Sequence, residues 1–324
     1  MALKDLQFSD LLLTEGGQGR LRGVPGKGVS ICTLPADCAQ EAITLPHLLA
    51  NEWLQKKDAT AIRYVHDGVV YRVSRAADVM FGQCWFLRKM PTVVPNIEDL
   101  GVPPHIAKWL VDPQNNHGLV LFAGSQGSGK TTIASSLLKS RLLLYGGLAV
   151  TFESPAEMPL SGYYSDIGQC IQTEVTSESD LPMMIQRAHT FAQPNIIFIG
   201  EIKSAVAAME ALRAALGSHE QMVVATIHGV DIVSALQRLM LWGQELEGAN
   251  AAMNLSMTLA TIIQLSLDTE GQQKILRIPE FLLVPFTGEF STSVRAKIRT
   301  GAMEGLRGEI TRCKNMMLHG TMVK

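Results

Sequence analysis

The stretch LFAGSQGSGKTT, residues 121–132, decides the fold. Gly124, Gly129, Lys130 and Thr131 occupy every fixed position of the pattern G-x-x-x-x-G-K-[ST]. The apolar run 119–123 before the pattern predicts a buried strand. The stretch TTIASSLLKS, which begins within the pattern, predicts a helix. A strand, this pattern and a helix in that order predict a phosphate-binding loop, or P-loop. An ordinary Gly/Ser loop before a helix is the alternative.

The predicted loop has the chemistry that a nucleoside triphosphate requires. Glycines let backbone N–H groups turn towards the phosphates, and the helix N-terminus adds partial positive charge. Lys130 can reach the β- and γ-phosphates, and the Thr131 hydroxyl can ligate Mg²⁺. The expected ligands are therefore ATP and Mg²⁺. The residues expected to hold them are Gly124, Ser125, Gln126, Gly127, Ser128, Gly129, Lys130, Thr131 and Thr132.

A second stretch, NIIFIGEIKS at 195–204, places an acid at the end of an apolar strand. The run 196–199 lacks alternation, which is typical of a strand buried on both faces. In a parallel sheet such a strand ends at the edge where α/β folds bind ligands. We expect this strand to end at Glu201 and to lie beside the P-loop strand, so that Glu201 polarises water or holds the metal through water. A solvated strand end is the alternative.

Two further strand ends carry side chains of interest. Glu153 ends LAVTFES, and its carboxylate would share the cleft with Glu201. His228 ends MVVATIH, where an imidazole can sense the γ-phosphate through a hydrogen bond. A strand-end histidine bonded to the backbone is an equally open interpretation of His228.

The composition of the whole chain limits its class. The 324 residues suffice for two domains, and 47% hydrophobic with 18% charged residues indicates a globular protein. A net charge of −2 argues against a nucleic-acid-binding protein. No apolar run reaches the ~18 residues of a membrane span, and the N-terminus has no signal-peptide core. Five cysteines without a CxxC pair indicate free thiols in the cytoplasm.

The chain divides into three zones. The first, to about residue 90, has glycine-rich turns, a helical pattern in 35–57 and a hairpin signal at Asp67-Gly68, which together suggest a small α+β domain. The second is a Pro-rich linker with one short helix near 106–110. The third, from Gly118, alternates strands with helices. The predicted fold is α/β with a mostly parallel sheet.

The hairpin signal fixes a pairing register. If Asp67-Gly68 is a two-residue turn, His66 pairs with Val69 and Arg63 pairs with Arg72. Two like charges directly opposite are unfavourable unless an anion lies between them. We hypothesise that Arg63 and Arg72 grip one phosphate. The alternative is that both side chains turn into water.

The order of GLVLFAGSQGSGKTT, TFESPAE, PNIIFIGEIKS and GSHEQMVVATIH resembles the type II/type IV secretion ATPase superfamily. Its nearest likeness is to PilT-type pilus retraction ATPases, with DotB-like secretion ATPases close by, over roughly residues 60–310. The resemblance implies a PAS-like N-terminal domain with its linker in 1–100. It also implies a RecA-like P-loop ATPase domain in 101–324, which ends in a helical segment. It further implies a homo-hexameric motor that hydrolyses ATP.

The same resemblance implies roles for single residues. Glu153 lies in the acidic box, Glu201 is the Walker B glutamate, and His219 and His228 lie in the histidine box. Family members place arginines of the N-terminal domain against the γ-phosphate. The matching positions here are Arg72 and Arg88, and we hypothesise that Arg63 replaces an arginine that this chain lacks.

Four positions depart from the family pattern. Ser154 stands for an Asp in the acidic box, Lys203 and Ser204 stand for an Arg-Asp pair, and Asn195 stands for an Asp. These changes put the rate of turnover in doubt. They leave open a weakly active, ATP-binding regulatory paralogue of the motor.

The C-terminal stretch STSVRAKIRTGAMEGL is similar to a segment of the retraction-type members, and the chain lacks the four-cysteine zinc module usual in pilus assembly ATPases. Both points favour type IV pilus retraction. The expected location is cytoplasmic and peripheral at the inner face of the bacterial inner membrane, on a pilus or secretion platform protein. An ATPase of a conjugation or type IV secretion system is the other alternative.

Overall fold

A computed structural model describes residues 2–55, 59, 61–217, 220–270 and 273–319. The chain forms two compact units. The first comprises Met1–Val93 together with Ser154–Pro159, and the second comprises Val94–Glu153 with Leu160–Lys324. The predicted α/β class is confirmed, since helices and strands alternate along the second unit around a largely parallel sheet.

In its described residues, the first unit is an antiparallel sheet with one long helix. Its strands follow the order β3-β2-β1-β6-β5-β4 and pair antiparallel throughout. Their bounds are β1 Asp10–Thr14, β2 Gly19–Arg22, β3 Cys32–Thr33, β4 Ile62–His66, β5 Val69–Asp78 and β6 Gly82–Lys89. The helix is α1, Ala39–Gln55, within the stretch that the sequence predicts as helical.

Alternation along the strands divides the faces of this sheet. Tyr71, Val73 and Leu87 are buried in one hydrophobic cluster with Leu45 and Leu49 of α1. Because successive strand residues point to opposite faces, the polar residues between them lie on the other face. The sheet therefore has one apolar face against α1 and one face that carries charge.

The predicted hairpin is confirmed. Asp67 and Gly68 both have positive φ, at 48° and 78°, as a two-residue turn of this kind requires. The register pairs His66 with Val69 and Arg63 with Arg72. A local turn signal was sufficient here because the turn fixes every later pair.

The second unit is built on a nine-stranded sheet within the described part of the chain. The strand order is β14-β13-β7-β12-β11-β8-β10-β9, with β15 paired to β13. Strands β13, β7, β12, β11, β8 and β10 run parallel, and β9, β14 and β15 are antiparallel to their partners. The bounds are β7 Gly118–Gly124, β8 Gly147–Glu153, β9 Gly162–Tyr164, β10 Gly168–Glu174, β11 Ile196–Ile202, β12 Met222–His228, β13 Leu259–Glu270, β14 Gln273–Arg277 and β15 Phe281–Leu283.

Helices connect these strands and pack on the sheet. Their bounds are α2 Pro104–Val111, α3 Lys130–Tyr145, α4 Leu181–Arg187, α5 Ala205–Leu216, α6 Ile232–Glu247, α7 Asn250–Thr258, α8 Glu289–Arg299 and α9 Leu306–Leu318. The predicted short helix near 106–110 is part of α2, and the predicted helices after the P-loop and after Ser204 are α3 and α5. In the described residues, no helix combines the length and apolar character that crossing a bilayer requires.

Two expectations about the Glu201 strand are wrong. Strand β11 does not lie beside the P-loop strand β7, because β12 is paired with both and separates them. Strand β11 also does not end at Glu201 but continues to Ile202 through an irregularity in its pairing with β12. Strand order depends on long-range pairing, which a local pattern does not contain.

Candidate functional site

The glycine-rich loop begins where β7 ends, at the carboxyl edge of the parallel sheet. Gly124 has a φ of 153° and is closely surrounded. A Cβ at Gly124 would lie only 2.5 Å from the Leu265 carbonyl oxygen of β13. Gly127 and Gly129 have φ values of 75° and 92°, in the region that favours glycine. The loop therefore needs glycine at these three positions for its backbone geometry.

Lys130 is held inside this loop. Its ammonium group donates hydrogen bonds to the carbonyl oxygens of Gly124, at 3.0 Å, and Ser125, at 2.8 Å. Lys130 is also the first residue of α3, so the positive end of the helix and the ammonium meet at the loop. The cation is thus fixed where an incoming anion would be bound.

The donor set of the loop fits a phosphate group. The Ser128 hydroxyl is buried and has no hydrogen-bond partner in the described residues, and a buried polar group of this kind calls for a ligand or water. Thr131 and Thr132 lie half-buried in the first turn of α3. Ser125, Gln126 and Gly127 form the exposed rim. Hydroxyls, N–H groups and one lysine suit a nucleotide phosphate and its Mg²⁺.

His228 lies between the loop and Glu201. It is the last residue of β12 and pairs in register with Gly124 of β7. Its Nε2 is 2.7 Å from Oε1 of Glu201, which lies on the next strand. Although β12 separates the two strands, Glu201 is linked to the loop through His228, which contacts Glu201 and pairs with Gly124.

The carboxylate of Glu153 is nearly enclosed at the same edge of the sheet. Its Oε1 accepts hydrogen bonds from the Thr151 hydroxyl and the Gln172 amide, each at 2.8 Å. Burial raises the pKa of the neighbouring Cys170 thiol to about 12, and the Glu153 charge contributes. The thiol therefore remains protonated, and Glu153 is fixed by hydrogen bonds from two strands.

Gly200 provides the space that Glu153 occupies. A Cβ at Gly200 would lie 3.0 Å from Cγ of Glu153 and 3.3 Å from its Cα. Such contacts are tighter than ordinary van der Waals packing, so a side chain at 200 would displace Glu153 or β11. The glycine before Glu201 thus allows the two acids to share the edge.

Three further contacts at this edge involve residues that the sequence did not single out. Thr226 Oγ1 donates to the Gly200 carbonyl oxygen at 2.6 Å. Arg238 donates to the His228 carbonyl oxygen at 3.1 Å, and Gln172 binds Glu153. Thr226 looks like an ordinary strand residue in the sequence, and Arg238 and Gln172 lie on separate elements. Only the strand register and tertiary contacts reveal them.

The predicted arginines of the first unit form one cross-strand row. Arg88 pairs in register with Asp10 on one side and Arg72 on the other, and Arg72 pairs with Arg63. Asp10 accepts from Arg88 at 2.8 Å and also binds Arg22 at 3.1 Å. The row therefore contains four arginines and one aspartate.

A carboxylate within the first unit binds Arg72. Glu157, in the segment Ser154–Pro159, lies 2.6 Å from the guanidinium of Arg72. The repulsion expected between Arg63 and Arg72 is thus offset by a carboxylate of the chain itself. The hypothesis that the two arginines grip a phosphate stays a prediction, as does the approach of Arg88 to a nucleotide.

The departures from the family pattern have local roles. Lys203 forms an ion pair with Glu178 at 3.4 Å, and the Ser204 hydroxyl caps α5 by accepting from the Ala207 N–H. Asp and Ser are both good helix caps, so this exchange conserves the cap. Asn195 lies at the amino end of β11, where it accepts from Leu148 N–H. His219 lies outside the described residues.

Sequence comparison identifies the family. A model of the family described as "Type II/IV secretion system protein" matches residues 57–309, which is most of the chain. The chain belongs to this family. The resemblance inferred from the motifs is therefore confirmed.

Individual members of the Type II/IV secretion system protein family match over different lengths. The type IV pilus assembly ATPase PilB of Thermus thermophilus is 29% identical over 249 residues, which cover 73% of this chain and 26% of PilB. The chain spans only about a quarter to a third of the length of PilB and two other curated relatives, at 26%, 30% and 24%.

Solved structures share the fold over nearly the whole chain. The pilus retraction motor PilT with bound ADP superposes with a TM-score of 0.74 at 21% identity, covering 98% of this chain and 90% of PilT. The ATPase DotB of Legionella pneumophila gives a TM-score of 0.72 at 19% identity, covering 99% and 90%. The expected RecA-like ATPase fold is confirmed by these two likenesses.

Proposed function

We propose that this chain is an Mg²⁺-dependent ATPase. The observation that carries the proposal is the 2.7 Å contact of Glu201 with His228, because His228 is in register with Gly124 at the start of the P-loop. An acid, an imidazole and a phosphate-binding loop thus lie on one edge of one sheet. That arrangement suits the transfer of a phosphoryl group to water.

Each residue of the site has a role in this proposal. Lys130, which donates to two loop carbonyls, would bind the β- and γ-phosphates, and Thr131 would hold the metal. Magnesium, when bound, neutralises charge on the phosphate oxygens. Glu201 would orient the attacking water and accept its proton as the new bond to the γ-phosphorus forms and the bond to the bridging oxygen breaks, so that this oxygen leaves with ADP. Glu201 would also help to hold the metal through water. Glu153 keeps a second negative charge beside Glu201, and His228 contacts the γ-phosphate.

Arginines complete the proposed mechanism. Arg63, Arg72 and Arg88 stabilise negative charge on the transferring phosphoryl group, which in other phosphoryl-transfer enzymes is worth roughly 10³ to 10⁵ in rate. Their common row supports a joint role. Arg72 would exchange its bond with Glu157 for one with the phosphate.

The wider role that we propose is a homo-hexameric motor for type IV pilus retraction, with functional domains in 1–100 and 101–324. PilT, named as a pilus retraction motor, was solved with ADP, and PilB is named as a pilus assembly ATPase. We place the motor in the cytoplasm, docked on a platform protein at the inner membrane. The same chemistry would serve a conjugation or type IV secretion system. Lys203 carries a positive charge and Ser204 caps α5, and a weakly active, ATP-binding regulatory paralogue of the motor is the other alternative.

Release of phosphate from ATP tests the enzymatic proposal. Glu201→Gln keeps the shape of the side chain but removes the proton acceptor, so we expect turnover to fall at least about 100-fold, in the range of general-base catalysis. Binding of a fluorescent ATP analogue should remain within about twofold, since Gln retains the hydrogen-bonding shape.

Glu245→Gln is the matched control, since Glu245 is an exposed glutamate on α6. Its turnover should equal that of the unaltered chain. Wild-type protein that binds ATP but releases no phosphate would overturn the enzyme proposal and favour the regulatory alternative. Loss of pilus retraction, as opposed to loss of substrate secretion, on deletion of the gene separates the two motor roles.

A further inference from the structure

Strand β11 contains one extra residue next to Glu201. Ile199 pairs with Ala225 of β12, and Ile202 pairs with Ile227. Three steps along β11 thus match two steps along β12, so Gly200 and Glu201 together lie opposite Thr226. This is a β-bulge, a feature that takes backbone groups out of regular pairing and changes the direction of a side chain.

The Thr226 side chain closes this bulge. Thr226 is only 2% exposed, and its hydroxyl donates to the Gly200 carbonyl oxygen at 2.6 Å. A carbonyl oxygen that is left without a hydrogen-bond donor inside a protein destabilises the fold. A valine in this place would fit the strand equally well but would offer no donor. The hydroxyl is therefore what distinguishes threonine from valine at this position, and it binds the carbonyl of the β-bulge.

The bulge leads directly into Glu201. The Gly200 carbonyl belongs to the peptide bond whose nitrogen is that of Glu201, so fixing this carbonyl fixes the start of the Glu201 backbone. The carboxylate is then held at its far end by Nε2 of His228. Catalytic groups misplaced by about 1 Å can lose roughly 100-fold in rate. Both ends of Glu201 are thus tied to β12.

We propose that Thr226 is a positioning residue for Glu201. Its proposed action is through the hydrogen bond to the Gly200 carbonyl. The proposal rests on the ATPase function proposed above. It adds that the direction of the Glu201 side chain depends on a hydroxyl on the neighbouring strand.

Thr226→Val and Thr226→Ser test the proposal in the full chain. Valine keeps the shape and removes the donor, so we expect kcat to fall about tenfold or more, while KM and analogue affinity stay within about twofold. Serine keeps the donor and should restore most of kcat. A loss in serine as large as that in valine would show that the donor alone does not maintain kcat, and a loss in serine without one in valine would assign the effect to the methyl group. Either result would overturn the proposal.

A double-substitution cycle separates positioning from general damage. In a chain that already carries Glu201→Gln, the water-orienting carboxylate is gone, so adding Thr226→Val should change the residual turnover by less than about twofold. A further loss equal to that seen with Glu201 present would contradict the proposal.

The nucleotide-free protein provides a readout that needs no activity. A crystal structure of Thr226→Val should show Glu201 displaced from His228, and the imidazole ¹⁵N shifts of His228 should move towards those of Glu201→Gln. Thr226→Ser should leave both unchanged. If the 2.7 Å contact persists in Thr226→Val, the proposal fails even if the chain proves to be no ATPase.

Thr261→Val is the matched control. Thr261 is an equally buried threonine of the same sheet, and its hydroxyl accepts from the Trp109 indole. This variant should lose stability but keep kcat. A wild-type chain without turnover would refute the ATPase function alone, whereas an active wild type with a fully active Thr226→Val would refute the positioning role alone.

Discussion

Gly200 is one of the glycines of the candidate site that have little space for a side chain. A methyl group at this position would meet the Cγ and Cα atoms of Glu153, one of them backbone. Glu153 in turn is held by hydrogen bonds from Thr151 and Gln172 and has little freedom to move. The glycine therefore sets how close the two acidic strand ends can approach.

We predict that Gly200→Ala impairs turnover more than nucleotide binding. The added methyl should push β11 from Glu153 by a few tenths of an ångström and shift Glu201 with it, lowering kcat about tenfold or more. Affinity for the ATP analogue should change by less than about threefold, because the P-loop lies on another strand. Steady-state kinetics and fluorescence titration measure the two effects.

Gly308→Ala serves as the comparison at the same scale. Gly308 lies in α9, and a Cβ there would meet nothing within 4 Å. Alanine should stabilise this helix by about 0.4–1 kcal/mol and leave kcat unchanged. Equal kinetics for Gly200→Ala and the wild type would show that the close contact with Glu153 does not matter.

The cross-strand row is a property of the whole sheet of the first unit. Asp10 lies at the start of β1 between Arg22 of β2 and Arg88 of β6. Burial acts to raise the Asp10 pKa, but hydrogen bonds from Ser9 and from the Arg88 guanidinium outweigh it, and the net pKa is lowered. The ionised Asp10 of β1 thus forms ion pairs with arginines of both neighbouring strands, β2 and β6.

This pKa predicts how the first unit responds to acid. A lowered pKa in the folded state means that the stability from Asp10 is complete above the ordinary aspartate pKa and is lost as the pH falls through the lowered value. Asp10→Asn should cost about 1 kcal/mol at neutral pH, since both arginines are half-exposed, and this difference should shrink below about pH 4. Hydrogen exchange of the β1 and β6 amides measures it.

The comparison for this sheet is Asp5→Asn. Asp5 is exposed, and its carboxylate accepts from the Ala2 N–H near the chain terminus. Exchange in β1 and β6 should be nearly unchanged in this variant at every pH. A constant difference between Asp10→Asn and wild type from pH 7 to pH 3 would show that the charge of Asp10 contributes nothing.

The elements also show what local sequence could and could not predict. Asp67-Gly68 fixed a hairpin register, because two positive-φ residues specify one turn type. The P-loop was predictable since its fixed positions are adjacent in sequence. The insertion of β12 between β7 and β11 was not, because it depends on pairing between distant segments. The role of Thr226 could not be predicted for the same reason, because its hydroxyl is important only where the β-bulge of the neighbouring strand presents the Gly200 carbonyl.

At the scale of the whole molecule, nucleotide binding should raise the free energy of unfolding and therefore the Tm. A ligand that binds only the folded state adds about 2.7 kcal/mol at 100 times its Kd, or roughly 5–10 °C in Tm for a domain of this size. We predict that Mg-ADP raises the Tm of the wild type by this amount. Lys130→Ala should remove the rise, because the ammonium group of the P-loop is lost. Calorimetry with and without Mg-ADP measures both.

Lys139→Ala is the control for this loss. Lys139 lies on the same helix, and its ammonium group donates to the Val94 carbonyl and to Asn96, each at 2.8 Å. The variant should melt at a lower temperature but keep the full rise with Mg-ADP. A full rise in Lys130→Ala would place the nucleotide away from the glycine-rich loop.

The bulge in β11 has a consequence for how activity can be lost in evolution. Removal of the single codon for Gly200 would leave every charged side chain of the site encoded. The deletion would nevertheless move Glu201 to the position of Gly200, where even a Cβ atom would lie 3.0 Å from Cγ of Glu153. One three-nucleotide deletion could therefore produce a paralogue that no longer hydrolyses ATP. Its sequence would still match the ATPase motifs, and only the spacing within β11 would differ.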